Sequence, residues 1–156
     1  MKDIVKVTLC IVFCQLVGVL GTIFTISAIP TWYSALNKPF FSPPNWVFGP
    51  VWTLLYTLMG ISLYLIIKKG WNNKKVIIPR NYFLGQLFLN FIWTPIFFGL
   101  KSPDLAIIVI IGMWILTIRT IRKFYPLSKI SAYLLIPYLI WISFATALNF
   151  AIVILN

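Results

Sequence analysis

Indoles and phenyl rings at helical spacing, with carboxamides set among them, are the residues in this chain best placed to do chemistry. At 100° per residue, Phe48, Trp52, Tyr56, Met59 and Leu63 share one helix face. Gln86, Asn90, Trp93 and Phe97 make a second stripe. Trp141, Phe144, Ala145, Leu148 and Ile152 make a third, with Asn149 at its edge, and Trp114 with Thr117 one turn on offers a fourth wall. Trp prefers a membrane interface and amides are costly against lipid, so these stripes should face one another. Any one stripe fits aromatic packing joined by amide hydrogen bonds between helices. Taken together, they would suit a flat apolar ligand with a few polar handles.

Much other chemistry is excluded by what the chain lacks. It has no His, and its only two carboxylates, Asp3 and Asp104, lie at the ends of apolar segments. Nucleophile–base pairs, paired carboxylates, ordinary metal sites and glycine-rich phosphate loops are therefore absent. Hydrolytic, acid–base and metal-dependent catalysis fall away, and no mid-membrane ionisable group supports coupled ion transport. Cys10 and Cys14, four apart in an apolar helix, read as packing residues.

The elements that must position the stripes follow from composition. Of the 156 residues, 61% are hydrophobic and 10% charged, where a soluble domain would carry roughly a quarter charged. The reading is an all-α integral membrane protein of one domain, 1–156. Its five spans run at about 5–29, 46–67, 80–100, 103–124 and 128–154. Pro30 should end the first span, Pro95 should kink the third, and Pro137 lies within the fifth. Ser102, Pro103 and Asp104 read as a capped helix start. Between the first two spans runs a loop containing Pro39, Pro43 and Pro44 together with Trp and Phe. Such a loop has few conformations to lose and apolar surface to bury, so it is expected to be an ordered lid over the pocket.

Charge sets the topology. With five crossings, eleven of the thirteen basic residues fall on one side, including Lys68, Lys69, Lys74, Lys75, Arg119 and Arg122; Lys38 and Lys101 fall on the other. The positive-inside rule makes the first side cytoplasmic, with the first loop and the C-terminus outside. The net charge of +11 is juxtamembrane, where anionic lipid accounts for it, so nucleic acid is not an expected partner. Ser143, Ala147 and Ala151 give the fifth span a strip of small residues on which a neighbouring helix, in the same chain or a second subunit, could pack closely.

Four blocks carry a family resemblance: W-Y-x-x-L-x-K-P at 32–39, P-P-x-W-x-F-G-P-V-W-T-x-L-Y-x-x-M-G at 43–60, L-N-x-x-W-x-P-x-F-F-G at 89–99 and P-Y-x-x-W-x-x-F-A-x-x-L-N at 137–149. Over nearly its whole length the chain resembles the TspO/MBR family of tryptophan-rich sensory and translocator proteins. The resemblance implies a five-helix bundle, usually dimeric, with a pocket closed by the first loop. It implies binding of porphyrins such as protoporphyrin IX and of benzodiazepine and isoquinoline carboxamide compounds, with light-driven porphyrin breakdown in some bacterial members. The short C-terminus resembles bacterial members and suggests a bacterial cytoplasmic membrane.

Carried onto this sequence, the resemblance puts Trp52, Asn90, Trp93, Trp141, Phe144, Ala145 and Leu148 in the pocket and Trp32, Lys38 and Pro44 in the lid. The animal sterol motif needs a Tyr and a basic residue after Leu-Asn, whereas this chain reads Leu148-Asn149-Phe150-Ala151. The bacterial dimer strip on the third span is replaced by Gly85 followed by Leu89. A porphyrin, as ligand or substrate rather than tightly bound cofactor, is expected to lie on Trp52, Trp93 and Trp141 with its propionates toward Lys38. Without His to ligate iron, metal-free porphyrin should bind at least as well as haem. Trp52 and Trp141 would be the oxidisable groups in any photochemistry. The alternative is a passive receptor or carrier for hydrophobic small molecules.

Overall fold

A computed structural model describes residues 2–156, which form helices and connecting turns with no strand among them. Five helical stretches are long and apolar enough to cross a membrane: Lys2–Tyr33, Asn45–Ile67, Lys74–Gly99, Pro103–Phe124 and Lys129–Leu155.

Proline decides how several of these stretches end. Helix α1 (Lys2–Ala28) does not stop at Pro30 as the sequence suggests but widens into a π-helical turn, Ile29–Tyr33. Pro30 cannot donate to the carbonyl four residues back, and the wider turn accommodates its ring. The extension ends where Lys38 Nζ reaches the carbonyls of Tyr33, Leu36 and Ser34 at 2.9, 3.1 and 3.2 Å. A cation here satisfies orphan acceptors at the negative end of the helix dipole.

Helix α2 (Phe48–Ile67) follows a short 3-10 turn, Asn45–Val47, and carries Pro50 in its first turn, where its missing N–H costs nothing. Helix α3 (Lys74–Thr94) begins six residues before the expected Arg80 and contains Pro79. The early start is set by Asn73, whose Oδ1 accepts Lys75 N–H at 3.0 Å. Two lysines in the first turn had masked the start in the hydropathy pattern. The expected irregularity at Pro95 takes the form of a second π-helical turn, Pro95–Gly99.

Helix α4 (Pro103–Phe124) has the expected bounds, but the Ser102 hydroxyl bonds the Asp104 carboxylate instead of capping a backbone N–H. The last stretch is two helices, α5 (Lys129–Leu134) and α6 (Ile136–Leu155), because Pro137 cannot continue the hydrogen-bond ladder across Leu135.

The bundle packs α1 against α2 and α3, α3 against α4, and α4 against α6. The α1–α2 crossing is so close that a Cβ at Gly60 would collide with the backbone of Cys10 and Ile11. Cys10 and Cys14 are buried at this seam as free thiols. Nearer the basic end, Ser62 and Ser131 tie α2 to α5, each hydroxyl meeting the other's backbone carbonyl at 2.8 Å. Most of the remaining apolar side chains of α1, such as Ile4, Leu9, Ile23 and Ile26, point outward where lipid would cover them. Two contacts fix which termini share an end. Lys68 Nζ meets Asp3 Oδ2 at 3.2 Å, and Asn37 bonds Asn156 at the opposite end.

Candidate ligand-binding site

Near the end of the bundle that carries the first loop, the helices part around a cavity of about 380 Å³. That is within the range of roughly 300–1,000 Å³ typical of small-molecule sites. Phe48, Trp52 and Tyr56 from α2, Asn90, Trp93 and Phe97 from the third span, and Trp141, Ala145 and Leu148 from α6 line it.

Each ring is held by its neighbours. Trp52 stacks on Tyr56 at 5.3 Å between centroids and meets Trp141 edge-on at 6.5 Å. Phe48 touches the other side of Trp141 at 6.0 Å. Trp93 stacks on Phe97 at 4.8 Å. The indoles of Trp52 and Trp141 thus lie together, while Trp93 belongs to the α3 side.

The polar handles are fixed as firmly. Tyr56 Oη donates to Asn90 Oδ1 at 2.7 Å, and Asn90 Nδ2 donates to Tyr138 Oη at 2.9 Å. Trp93 Nε1 donates to Asn149 Oδ1 at 3.3 Å, while Asn149 Nδ2 donates to the Pro103 carbonyl at 2.8 Å. These chains satisfy buried amides that would otherwise be costly in a membrane. They also lock the rotamers of the rings that form the wall.

Six of the residues assigned to ligand binding from sequence do not line the cavity. Gln86 is buried one turn further toward the basic end, and neither its Nε2 nor its Oε1 has a partner among the described residues. Trp114 lies at the α4–α6 edge with its Nε1 donating to Ser143 Oγ at 2.8 Å, so part of the small-residue strip packs within the chain. Phe144 packs on Trp141 at 5.5 Å and on Phe41 of the loop at 6.1 Å without reaching the lining. Trp32 packs edge-on against Phe97 at 5.6 Å, behind the wall. Lys38 and Pro44 lie in the loop, where Lys38 is fully engaged with backbone carbonyls and sits 5.0 Å from the Tyr33 ring. Its ammonium is not directed at the cavity. Of the loop stretch, only Tyr33 and Asn45, near its two ends, reach the lining.

Helix α1 supplies a wall that periodicity did not reveal: Gln15, Gly18, Val19, Gly21, Thr22 and Thr25. One signal was present, since Gln15 is the sole carboxamide of α1. Its Nε2 donates to the Thr53 carbonyl at 2.8 Å and to Thr57 Oγ1 at 3.0 Å, pinning α1 to α2. Just above that pin, Val19, Thr22, Gly49 and Thr53 line the cavity while also being exposed at the bundle surface. The cavity therefore opens sideways between α1 and α2. Among the described residues, no Lys, Arg, Asp or Glu lines it.

Comparison with known proteins agrees with this architecture. Residues 10–155 match the TspO/MBR family. The chain is 48% identical to tryptophan-rich protein TspO of Archaeoglobus fulgidus over 155 residues, 99% of each chain. It is 40% identical to the human translocator protein over 122 residues, 78% of this chain and 72% of that one. With the tryptophan-rich sensory protein of Cereibacter sphaeroides the figure is 38% over 125 residues, covering 80% and 77%. Five apolar spans, a tryptophan-walled cavity and a match along almost the entire chain lead to one conclusion: this integral membrane protein belongs to the TspO/MBR family.

Proposed function

We propose that the protein binds a flat, largely apolar macrocycle of the porphyrin class, with protoporphyrin IX as the representative ligand. The observation that carries this reading is the cavity wall itself, where Trp52 and Trp141 meet and Trp93 stands on the α3 side. Offset aromatic contacts contribute roughly 0.5–1.5 kcal/mol each beyond buried area. A few of them, with burial, are enough for micromolar binding. Benzodiazepine and isoquinoline carboxamide compounds, being flat and uncharged, suit the same wall.

Since no cation among the described residues lines the cavity and Lys38 is engaged elsewhere, the ionised propionates of a porphyrin would be costly inside. They would project through the opening between α1 and α2 toward the headgroups. The expectation that Lys38 receives them is replaced by this orientation. In keeping with the charge asymmetry, the lid end faces outward across a bacterial cytoplasmic membrane, and the protein acts as a dimer.

A second reading, light-driven oxidation of the bound ring, rests on the contact between Trp52 and Trp141. An indole would give one electron to the excited macrocycle and lose its ring N–H proton. Electron and proton both arrive at a meso carbon, and dioxygen, the oxidant, adds to the resulting ring radical through a new C–O bond.

Titration with protoporphyrin IX in the dark, followed by tryptophan quenching, tests the first reading; saturable quenching is expected and its absence overturns it. Illumination in air and under argon tests the second. Loss of the porphyrin bands that needs air, outpaces free porphyrin and disappears in Trp52→Phe/Trp141→Phe supports oxidation. Bands as stable as those of free porphyrin leave a receptor or carrier.

A further inference from the structure

One side chain fastens the first loop to the last turn of α6. Asn156 Oδ1 accepts the Asn37 backbone N–H at 2.9 Å, and Asn156 Nδ2 donates to the Asn37 carbonyl at 2.9 Å. A single carboxamide thus satisfies both backbone groups of one residue, as a neighbouring β-strand would. The same Nδ2 donates to the Ile152 carbonyl at 2.8 Å, which orients the amide on the helix end. Asn37 Nδ2 returns a weaker bond to the Leu155 carbonyl at 3.3 Å.

The loop has no other hydrogen bond to α6 among the described residues. Lys38 bonds carbonyls of its own segment, and Ser42 N–H bonds the Pro39 carbonyl within the loop. Phe41 against Phe144 is an apolar contact that can slide. Both asparagines are exposed, so water competes for the bridge and its opening costs little. Proline at 39, 43 and 44 stiffens the segment beyond Asn37, so freeing that residue would let the segment swing as a unit.

We propose that Asn156 is a positioning residue for the first loop: its carboxamide holds Asn37, which lies between Tyr33 and Asn45, the loop residues that line the cavity, and release of this bridge frees that end of the cavity for ligand exchange. The fastening is a property of the chain alone; the exchange step rests on the reading that the cavity takes a porphyrin.

The test uses the full chain in phospholipid nanodiscs and begins with hydrogen exchange of peptides covering 34–44. Asn156→Ala is expected to speed lid exchange at least about fivefold while peptides from α3 and α4 are unchanged. Asn37→Ala keeps both backbone bonds to Asn156 and is expected to change lid exchange by less than about twofold. Stopped-flow quenching with protoporphyrin IX then reads the gate. Association and dissociation in Asn156→Ala should both rise by a common factor, leaving Kd within about twofold. Lid exchange equal to wild type in Asn156→Ala, or equal effects of the two variants, overturns the fastening. Faster lid exchange with unchanged ligand rates overturns the gate. Absence of saturable quenching in the wild type would overturn the porphyrin reading and with it the gate, leaving the fastening to be decided by hydrogen exchange.

Discussion

Trp52 and Trp141 meet edge to face, their ring centroids 6.5 Å apart and their planes at 87°. Each indole is also held by a second ring of the wall, Trp52 by Tyr56 and Trp141 by Phe48. The pair is therefore a rigid corner whose exposed faces turn into the cavity. Pre-organised aromatic surface of this kind loses little entropy when a ligand lands on it.

Truncating that corner should show in affinity more than in folding. Trp141→Ala removes its contacts with three neighbouring rings as well as ligand surface, and is expected to weaken protoporphyrin IX binding about tenfold or more. Trp141→Phe keeps an aromatic face and should cost about threefold. Quenching titrations on both variants read the difference. Equal affinities for Ala and wild type would place the ligand elsewhere.

Asn90 is the centre of a buried relay, accepting from Tyr56 and donating to Tyr138, with all three residues almost fully enclosed. Asn90→Leu leaves two buried hydroxyls without their partner, and each such loss costs roughly 1–3 kcal/mol. Tyr138→Phe removes one partner and should cost less. Thermal unfolding in one detergent is expected to rank wild type above Tyr138→Phe, and Tyr138→Phe above Asn90→Leu. The double variant should lose less than the sum, because both changes break the same bond.

Gln86 offers the opposite sign. Its amide is buried with neither polar atom partnered among the described residues. Gln86→Leu removes an unsatisfied group at similar volume, and is expected to raise stability by about 1–2 kcal/mol. A lower midpoint than wild type in thermal unfolding would mean that the amide makes bonds in the bilayer.

Gln86 also shows how far the sequence could be read. Its place on the α3 stripe put it on the inward face, and it is indeed inward. Periodicity gives the angle around a helix but not the depth along it, so a residue one turn below the cavity looked the same as one lining it. Trp114 illustrates a second limit, since an indole at the edge of a buried face can reach a serine on the next helix instead of the interior. The five spans were legible because about twenty apolar residues in a row have few other uses. The α1 wall was not, because glycine and threonine carry no hydropathy signal, and what they provide here is room and hydroxyls. The ends at Tyr33 and Leu135 depended on how the chain accommodates Pro30 and Pro137, which tertiary packing decides.

At Gly60 backbone meets backbone. A methyl group there would strike Ile11 and Cys10 main-chain atoms, which cannot rotate away. Gly60→Ala must therefore push α1 from α2, and overpacking of this kind typically costs 1–3 kcal/mol. The same seam carries the Gln15 bonds and the sideways opening, so the variant should also alter ligand exchange. We expect a lower unfolding midpoint together with faster protoporphyrin IX dissociation. A neutral substitution would mean that the helices are not in contact at this level.

Lys38 provides a charge test that separates lid structure from ligand recognition. Its ammonium is bonded to three carbonyls and lies over the Tyr33 ring, so its charge serves the end of the α1 extension. If propionates leave through the α1–α2 opening, Lys38 contributes nothing to their recognition. Lys38→Met should then leave the affinities for protoporphyrin IX and for its uncharged dimethyl ester in the same ratio as in the wild type. A direct ion pair would instead penalise only the diacid, by up to about fivefold for an exposed pair. Measuring both ligands on both proteins gives a double-mutant cycle in which the coupling is expected to be near zero. A coupling clearly above that would return Lys38 to the ligand and place the carboxylates beneath the lid.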